Sequence, residues 1–298
     1  MPDKKKHSSL NQRVSPKQVA RAIGVSESTL KRWCDEGLIP SVRTLGGHRR
    51  LLVSTVVRFL QNSRRELVAP QLLGLPATCG KSNRVLDRAP DRLRDGLLAA
   101  DEPLCRQIVF DLWLAGQSIA LIADHVIAVA FAEIAEKCAA READLYLEHQ
   151  AGEIMRRILH ELQMRLAPPD PQRLALGATP DGDHNGLPAM IAETVLQDCG
   201  WHARLVGMSL PFESLAAAVR DKQVQLFWLS VSSIADTTSY REGFDRLLAA
   251  TADTGTALAV CGLALRDQSL PDRLPGAARC ETMQQLANFA GTLGPVSQ

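Results

Sequence analysis

At 298 residues, 46% hydrophobic and 22% charged, the chain is long enough for two or three domains with real cores, and its composition excludes a disordered or collagen-like protein. The net charge of +1 conceals an asymmetry: residues 1–65 carry 14 Lys/Arg against 4 Asp/Glu, and the remainder 20 against 29. A head of net +10 on a body of net −9 predicts that the head meets a polyanion.

The first segment, "MPDKKKHSSLNQ", is basic with no apolar run behind it. It reads as a flexible basic arm over 1–14 and not as a signal peptide. A small domain is predicted over 15–66. Ser15 is a candidate N-cap and Pro16 suits the first helical position. Val19, Ala20 and Ile23 give a short apolar face before Gly24 breaks the helix. Ser26 caps a second helix, with Val25 and Leu30 as a hydrophobic staple. Leu30 and Trp33 turn inward, which leaves Ser28, Thr29, Lys31 and Arg32 outside, and Gly37 ends the helix. Two short capped helices at a glycine turn make a helix-turn-helix. "PSVRTLGGHRRLL" follows, where Gly46-Gly47 supplies the positive φ of a tight hairpin flanked by Arg43, His48, Arg49 and Arg50. Ser54 is then the expected cap of a third helix, "STVVRFLQN".

Over residues 15–62 these features resemble the MerR-type winged helix-turn-helix, carried by "VARAIGVSESTLKRWCDEGLI" and the wing "GGHRR". The resemblance implies binding to double-stranded DNA, with the second helix in the major groove and the wing on phosphate or in the minor groove. The residues it implicates are Lys17, Ser28, Thr29, Lys31, Arg32, Arg43, His48, Arg49 and Arg50. His48 serves equally well as a structural wing residue.

Pro70, Gly74 and Pro76 mark a linker over 67–83. Beyond it the 3.6-residue period predicts helices near 84–99, 103–115, 118–139 and 144–166, with breaks at Gly116 and around Arg141. An antiparallel four-helix bundle over 84–167 follows, closed by "PPDP" at Pro168–Pro171. The most apolar stretch, "LWLAGQSIALIADHVIAVAFAEIA", is interrupted by Gln117, Asp124, His125 and Glu133, so it reads as a core helix and not a membrane span. The seven cysteines contain no Cys-x-x-Cys pair, and they read as small buried residues in a reducing, cytoplasmic compartment.

From residue 172 to 298 apolar runs alternate with helical ones. "RLALGAT", "HARLVGM", "VQLFWLSVS", "TALAVCG" and "GAARCE" are candidate strands. "LPAMIAETVLQDC", "PFESLAAAVRDK", "YREGFDRLLAATADT", a short piece near 267–274 and "TMQQLANFAGTL" are candidate helices. The alternation predicts a flavodoxin- or Rossmann-like domain, a five-stranded parallel sheet covered on both faces. Its ligands would bind beyond the carboxyl ends of the strands, where "GDHNGLP" (Gly182–Pro188) follows the first strand.

The two C-terminal regions resemble the CarH/LitR-type light-responsive repressors, which pair a MerR-type head with a cobalamin-binding body. That family has a cofactor-capping Trp ten residues before a Glu-His pair; here Glu148 and His149 follow Cys138. It has an acid-x-His-x-x-Gly motif after the first strand, whose histidine ligates cobalt. Aligned through "CGWHARLVG", Asp183 takes the acid position, Asn185 the histidine position and Pro188 the glycine position, with His184 one residue early. A Ser-x-Leu after the third strand becomes Ser230 with Ser232, and a Gly-Gly after the fourth becomes Cys261-Gly262. Each signature has lost a residue. An amide oxygen is a poor ligand for an imidazole-preferring metal centre. No cofactor is therefore expected; the other reading is cobalamin held in a rearranged mode by His184.

The expected function is a DNA-binding transcriptional regulator, with bundle and sheet domain acting as sensor or oligomerisation unit and the chain forming a homo-oligomer. Two alternatives stand: an adenosylcobalamin-dependent light-responsive repressor with a rearranged cobalt site, and an interaction scaffold recruited to DNA. Enzyme activity is not expected, because the sequence offers no nucleophile–base set, no Cys/His metal spacing and no phosphate loop.

Overall fold

The computed structural model describes residues 13–44, 46–63, 65, 67–75, 83–139, 144–234, 236–265 and 274–293. They form two compact units. One contains the described residues up to Ser118 with Val129–Pro168; the other contains Ile119–Ala128 with the described residues from Pro169 onward.

The first unit opens on β1 (Arg13–Val14), a strand that the sequence had suggested was part of the arm. Val14 is buried, and β1 pairs antiparallel with the wing. The arm therefore ends before Arg13; residues 1–12 lie outside the described residues. Helix α1 (Pro16–Ala22) is capped by Ser15, and Gln18 closes a capping box by accepting from the Ser15 N–H at 2.9 Å. Gly24 at φ +69° makes the turn into α2 (Glu27–Asp35), which Ser26 caps and Gly37 terminates at φ +75°. Leu30 and Trp33 are buried as expected. Trp33 packs 5.1 Å from Phe59 on α3 (Val53–Ser63).

Between α2 and α3, β2 (Val42–Arg43) and β3 (Arg49–Leu52) form the antiparallel wing. Of the Gly46-Gly47 pair, only Gly47 adopts positive φ, +76°. Ser54 is not the cap of α3. The chain passes directly from β3 into the helix, Val53 enters the core, and Ser54 is buried in the first turn.

The first part of the expected linker belongs to this fold. The N–H groups of Val68 and Ala69 donate to the Ala22 carbonyl at 2.8 and 2.9 Å, and a 3₁₀ turn at Pro70–Leu73 buries Leu73. Residues 76–82 lie outside the described residues. Helices α4 (Asn83–Leu98), α5 (Glu102–Leu114) and α8 (Leu145–Gln163) match predicted bundle helices within a few residues, and α7 (Ala128–Ala139) matches the second half of the third. Arg94 of α4 pairs with Glu133 of α7, and Arg106 of α5 with Glu161 of α8 at 2.6 Å. Arg157 of α8 reaches Glu102 of α5, holding that carboxyl below its usual range. The break expected around Arg141 falls outside the described residues.

The third predicted bundle helix is not one regular element. It begins as α6 (Ile119–Ile122), passes through a π turn at Ala123–Ile127 and continues as α7. Residues 119–128 group with the sheet unit, fastened by two acids. Asp198 accepts from the Ile119 N–H, and Asp124 accepts from the N–H groups of Met283 and Gln284 at 2.8 and 2.9 Å. An anion on the exposed N–H groups of a helix start is favourable.

In the sheet unit, β4 (Asp170–Pro180), β5 (Trp201–Leu210), β6 (Leu226–Ser230), β7 (Ala257–Cys261) and β8 (Ala278–Arg279) are all parallel, in the order β5-β4-β6-β7-β8. The last is much shorter than "GAARCE" suggested. Helices α9 (Gly186–Asp198) and α12 (Met283–Thr292) cover one face over Trp201 and Trp228; α10 (Phe212–Lys222) and α11 (Thr237–Thr254) cover the other. The strand order places a topological switch point between β4 and β6, where a doubly wound sheet forms its ligand crevice. Most of the expected helical piece near 267–274 lies outside the described residues.

Candidate functional site

The head gathers part of the predicted set around one concavity. A cleft of about 480 Å3 between α2 and the wing is lined by Lys31, Arg43, His48, Arg49 and Arg50, together with Glu27 and Asp35. Lys17, Ser28, Thr29 and Arg32 lie outside its lining. Lys17, Arg43, His48 and Arg32 are exposed, and among the described residues Lys17, Arg43 and Arg50 have no ion-pair partner. Lys31 pairs with Glu27 at 3.0 Å one turn earlier on α2, and Arg32 approaches Glu36 at 3.9 Å; both pairs are exposed and so worth little to stability.

The hydroxyls at the start of α2 form one cluster. Ser26 Oγ lies 2.9 Å from Ser28 Oγ and 2.8 Å from Thr29 Oγ1, and it accepts from the Thr29 N–H at 3.1 Å. Ser28 and Thr29 are thus held in place by the cap at the positive end of the helix dipole. The wing turn is fixed likewise: the His48 N–H donates to Thr44 Oγ1 and the Gly47 N–H to the Thr44 carbonyl.

Arg49 differs from its neighbours. Its Nη2 donates to Asp35 Oδ1 at 2.5 Å and its Nη1 to the Lys31 carbonyl at 3.2 Å, and the carboxylate beside it raises its already high pKa. The sequence reading missed Asp35. Its signal was an acid in the last turn of a helix, an unfavourable place unless a cation compensates.

In the second unit, "GDHNGLP" lies at the carboxyl edge of the sheet, as predicted, and the strand order puts it at the switch point; its acid is turned onto the chain. Asp183 is completely buried. One carboxylate oxygen accepts from the Asn185 N–H at 3.0 Å; the other accepts from the Ser232 N–H, after β6, at 2.6 Å. Thr179 Oγ1 donates to the Asp183 carbonyl and accepts from the Ser209 N–H, so the loops after β4 and β6 and the end of β5 are joined. Burial pushes the Asp183 carboxyl above its ordinary value, against the pull of these N–H donors. His184 and Asn185 are exposed; Asn185 precedes α9 as its N-cap without a side-chain cap bond, and Pro188 sits in the first turn, where proline is tolerated.

Behind the loop the space is filled by side chains. Trp228 lies across Gly177 so closely that a Cβ there would sit 1.9 Å from the indole. The Met208 sulfur would be 2.0 Å from a Cβ at Gly186. Gly262, at φ +112°, faces the backbone of Val231, whose oxygen would be 2.3 Å from a Cβ. Its bare backbone therefore serves the chain's own strand-to-loop contact. Ser230 Oγ is sealed inside with no hydrogen-bond partner, opposite Cys261, whose thiol burial raises to about 12.

Of the bundle residues singled out, Cys138 is buried within α7. On α8, Glu148 is half-buried and His149 exposed. Among the described residues, no group of three or more His, Cys, Asp or Glu is arranged to hold a metal ion, and no helix is long and apolar enough to cross a membrane.

Comparison with known proteins finds separate matches for the head and for the remainder of the chain. Residues 14–64 match the helix-turn-helix domain family. The C-terminal part shares the fold of the Methanosarcina barkeri monomethylamine corrinoid protein, at 16% identity and a TM-score of 0.54, over 70% of this chain and 98% of that one. A cobalamin-binding protein from Desulfitobacterium hafniense DCB-2 is 17% identical, with a TM-score of 0.37 over 68% of this chain and 98% of that one. No curated protein matches the chain.

Proposed function

We propose that the protein is a DNA-binding transcriptional regulator whose winged helix-turn-helix head reads duplex DNA, and whose bundle and sheet unit serve sensing or self-association. The observation that carries this reading is the gathering of Lys31, Arg43, His48 and Arg50 around the cleft between α2 and the wing, with the Ser28 and Thr29 hydroxyls held at the start of α2. Cations position a protein on phosphates, and small polar side chains on a groove-inserted helix approach base edges. In this reading the chain regulates by binding DNA and carries out no enzymatic chemistry. It acts as a homo-oligomer on repeated half-sites, which matches the geometry of such heads.

The residues at the sheet edge do not fit a corrin held by histidine on cobalt. Asn185 stands at the ligand position, Asp183 spends both carboxylate oxygens on backbone N–H groups, and Trp228, Met208 and the Val231 backbone occupy the space that bare glycines would open. We therefore read the sheet unit as cobalamin-independent. Fluorescence anisotropy with duplex DNA over a salt series tests the first reading: affinity should fall steeply with salt, and Arg50→Ala should reduce the slope by about one. No binding to any duplex at low salt would defeat it. Adenosylcobalamin mixed with the protein and desalted should leave it colourless; retained corrin absorbance that shifts in His184→Ala would establish the rearranged mode instead.

A further inference from the structure

We propose that Arg49 is a positioning residue that locks the wing to the second helix of the head, and is not one of the groups that contact DNA. The inference rests on the head being a DNA-binding unit and assigns a different role to one member of its cationic set.

Three observations carry it. The first is strand periodicity. Alternate residues of β3 face opposite sides, so Arg49 shares a side with Leu51, which is fully buried, while Arg50 shares the other with the half-buried Leu52. The second is exposure: the Arg49 side chain is 18% exposed, whereas that of its partner Asp35 is 63% exposed. The guanidinium is tucked beneath the carboxylate, unlike a group reaching toward a polyanion. The third is geometry. Two nitrogens of one planar fork hold two separate points of α2, the Asp35 carboxylate at 2.5 Å and the Lys31 carbonyl at 3.2 Å. Such a two-point hold fixes both distance and angle, which a single flexible ammonium cannot do.

The consequence is mechanical. The cations on the wing, Arg43 and Arg50, are kept at a set distance from Ser28 and Thr29 on α2, so phosphate contact and base reading arrive in one register. Without the lock, the hairpin is held to the head only at its base, by the pairing of β3 with β1 and the burial of Leu51.

The sign of one variant separates the lock from its rivals. Asp35→Asn removes a negative charge beside the DNA-facing cleft; by charge alone it should tighten binding to a polyanion, and it would also free Arg49 to reach phosphate. The lock requires the reverse, a several-fold loss of affinity. Arg49→Ala removes both hydrogen bonds of the fork and should weaken binding by about tenfold or more, while leaving the salt slope unchanged. Arg49→Lys should behave like Arg49→Ala, whereas a phosphate contact would tolerate lysine. Amide hydrogen exchange of the full chain without DNA should show faster exchange at Gly47–Arg50 in all three variants. Tighter binding by Asp35→Asn, a salt slope lowered by about one in Arg49→Ala, or unchanged wing exchange would overturn the assignment. Exchange needs no DNA, so a wild type that binds none would sink the proposed function while leaving the lock itself tested.

Discussion

The head and the carboxyl edge of the sheet are built from similar materials and use them in opposite ways. Each has glycines at tight turns, a histidine, hydroxyls and charged groups beside a helix start. In the head these groups are held by one another yet remain at the surface: Ser26 organises Ser28 and Thr29, and Arg43 and Arg50 stay unpaired among the described residues. At the sheet edge Asp183, Thr179 and Gly262 are turned inward, onto the backbone of neighbouring loops. A recognition surface keeps its donors and acceptors presentable. At the sheet edge the acid and the glycine instead hold the loops to one another, and a cavity of about 490 Å3 lined by Asp181, Gly182, Phe212 and Tyr240 remains beside them.

Three variants test that contrast, beginning with the largest effect. Gly262→Ala should destabilise the sheet unit by more than about 4 kcal/mol, because the position combines positive φ with a backbone oxygen 2.3 Å from the new methyl group. Urea unfolding monitored by tryptophan fluorescence measures it. A loss under about 1 kcal/mol would mean that the loop yields and the crevice can open.

Asp183→Asn comes next, with an expected loss of about 1–3 kcal/mol from a backbone N–H left without its acceptor. Here pH sharpens the result. Because burial raises the Asp183 carboxyl, its contribution to stability is complete below the ordinary carboxylate value and declines as pH rises through the raised folded value. The advantage of wild type over Asp183→Asn should therefore shrink across that window. An advantage that grows with pH would show that the N–H donors outweigh burial.

The smallest effect is expected in the bundle. Glu148→Ala with His149→Ala should change stability by no more than about 0.5 kcal/mol per site, as for surface positions with no partner among the described residues. It should also leave DNA affinity unchanged. A larger effect in either measurement would give the pair a role beyond an open helix face.

Much of this architecture was legible in the residues. Ser15, Ser26, Gly24 and Gly37 mark the ends of two helices because capping and positive φ are local requirements, met within four residues of where they arise. The central strands β6 and β7 were legible because a strand buried on both faces is a continuous apolar run, as in "LFWLS". Ser54 misled because a cap signal was present where the chain had no need of one, the preceding strand leading straight into the helix. The π turn at Ala123–Ile127 left no trace in the periodicity, since one widened turn leaves the 3.6-residue pattern on either side of it readable as a single helix.

The candidate sites divide along the same line. The sequence by itself determined which residue types stand on the second helix and the wing of the head, since that depends only on order and spacing. Tertiary structure alone decided what those residues do. It set Arg49 against Asp35, fourteen positions earlier, and Asp183 against the Ser232 backbone, forty-nine positions later. The physical reason is that the partner of a charge is chosen by distance in space. A strand turned by one residue, or a loop folded under its neighbour, exchanges solvent for a protein group without altering any local pattern in the chain.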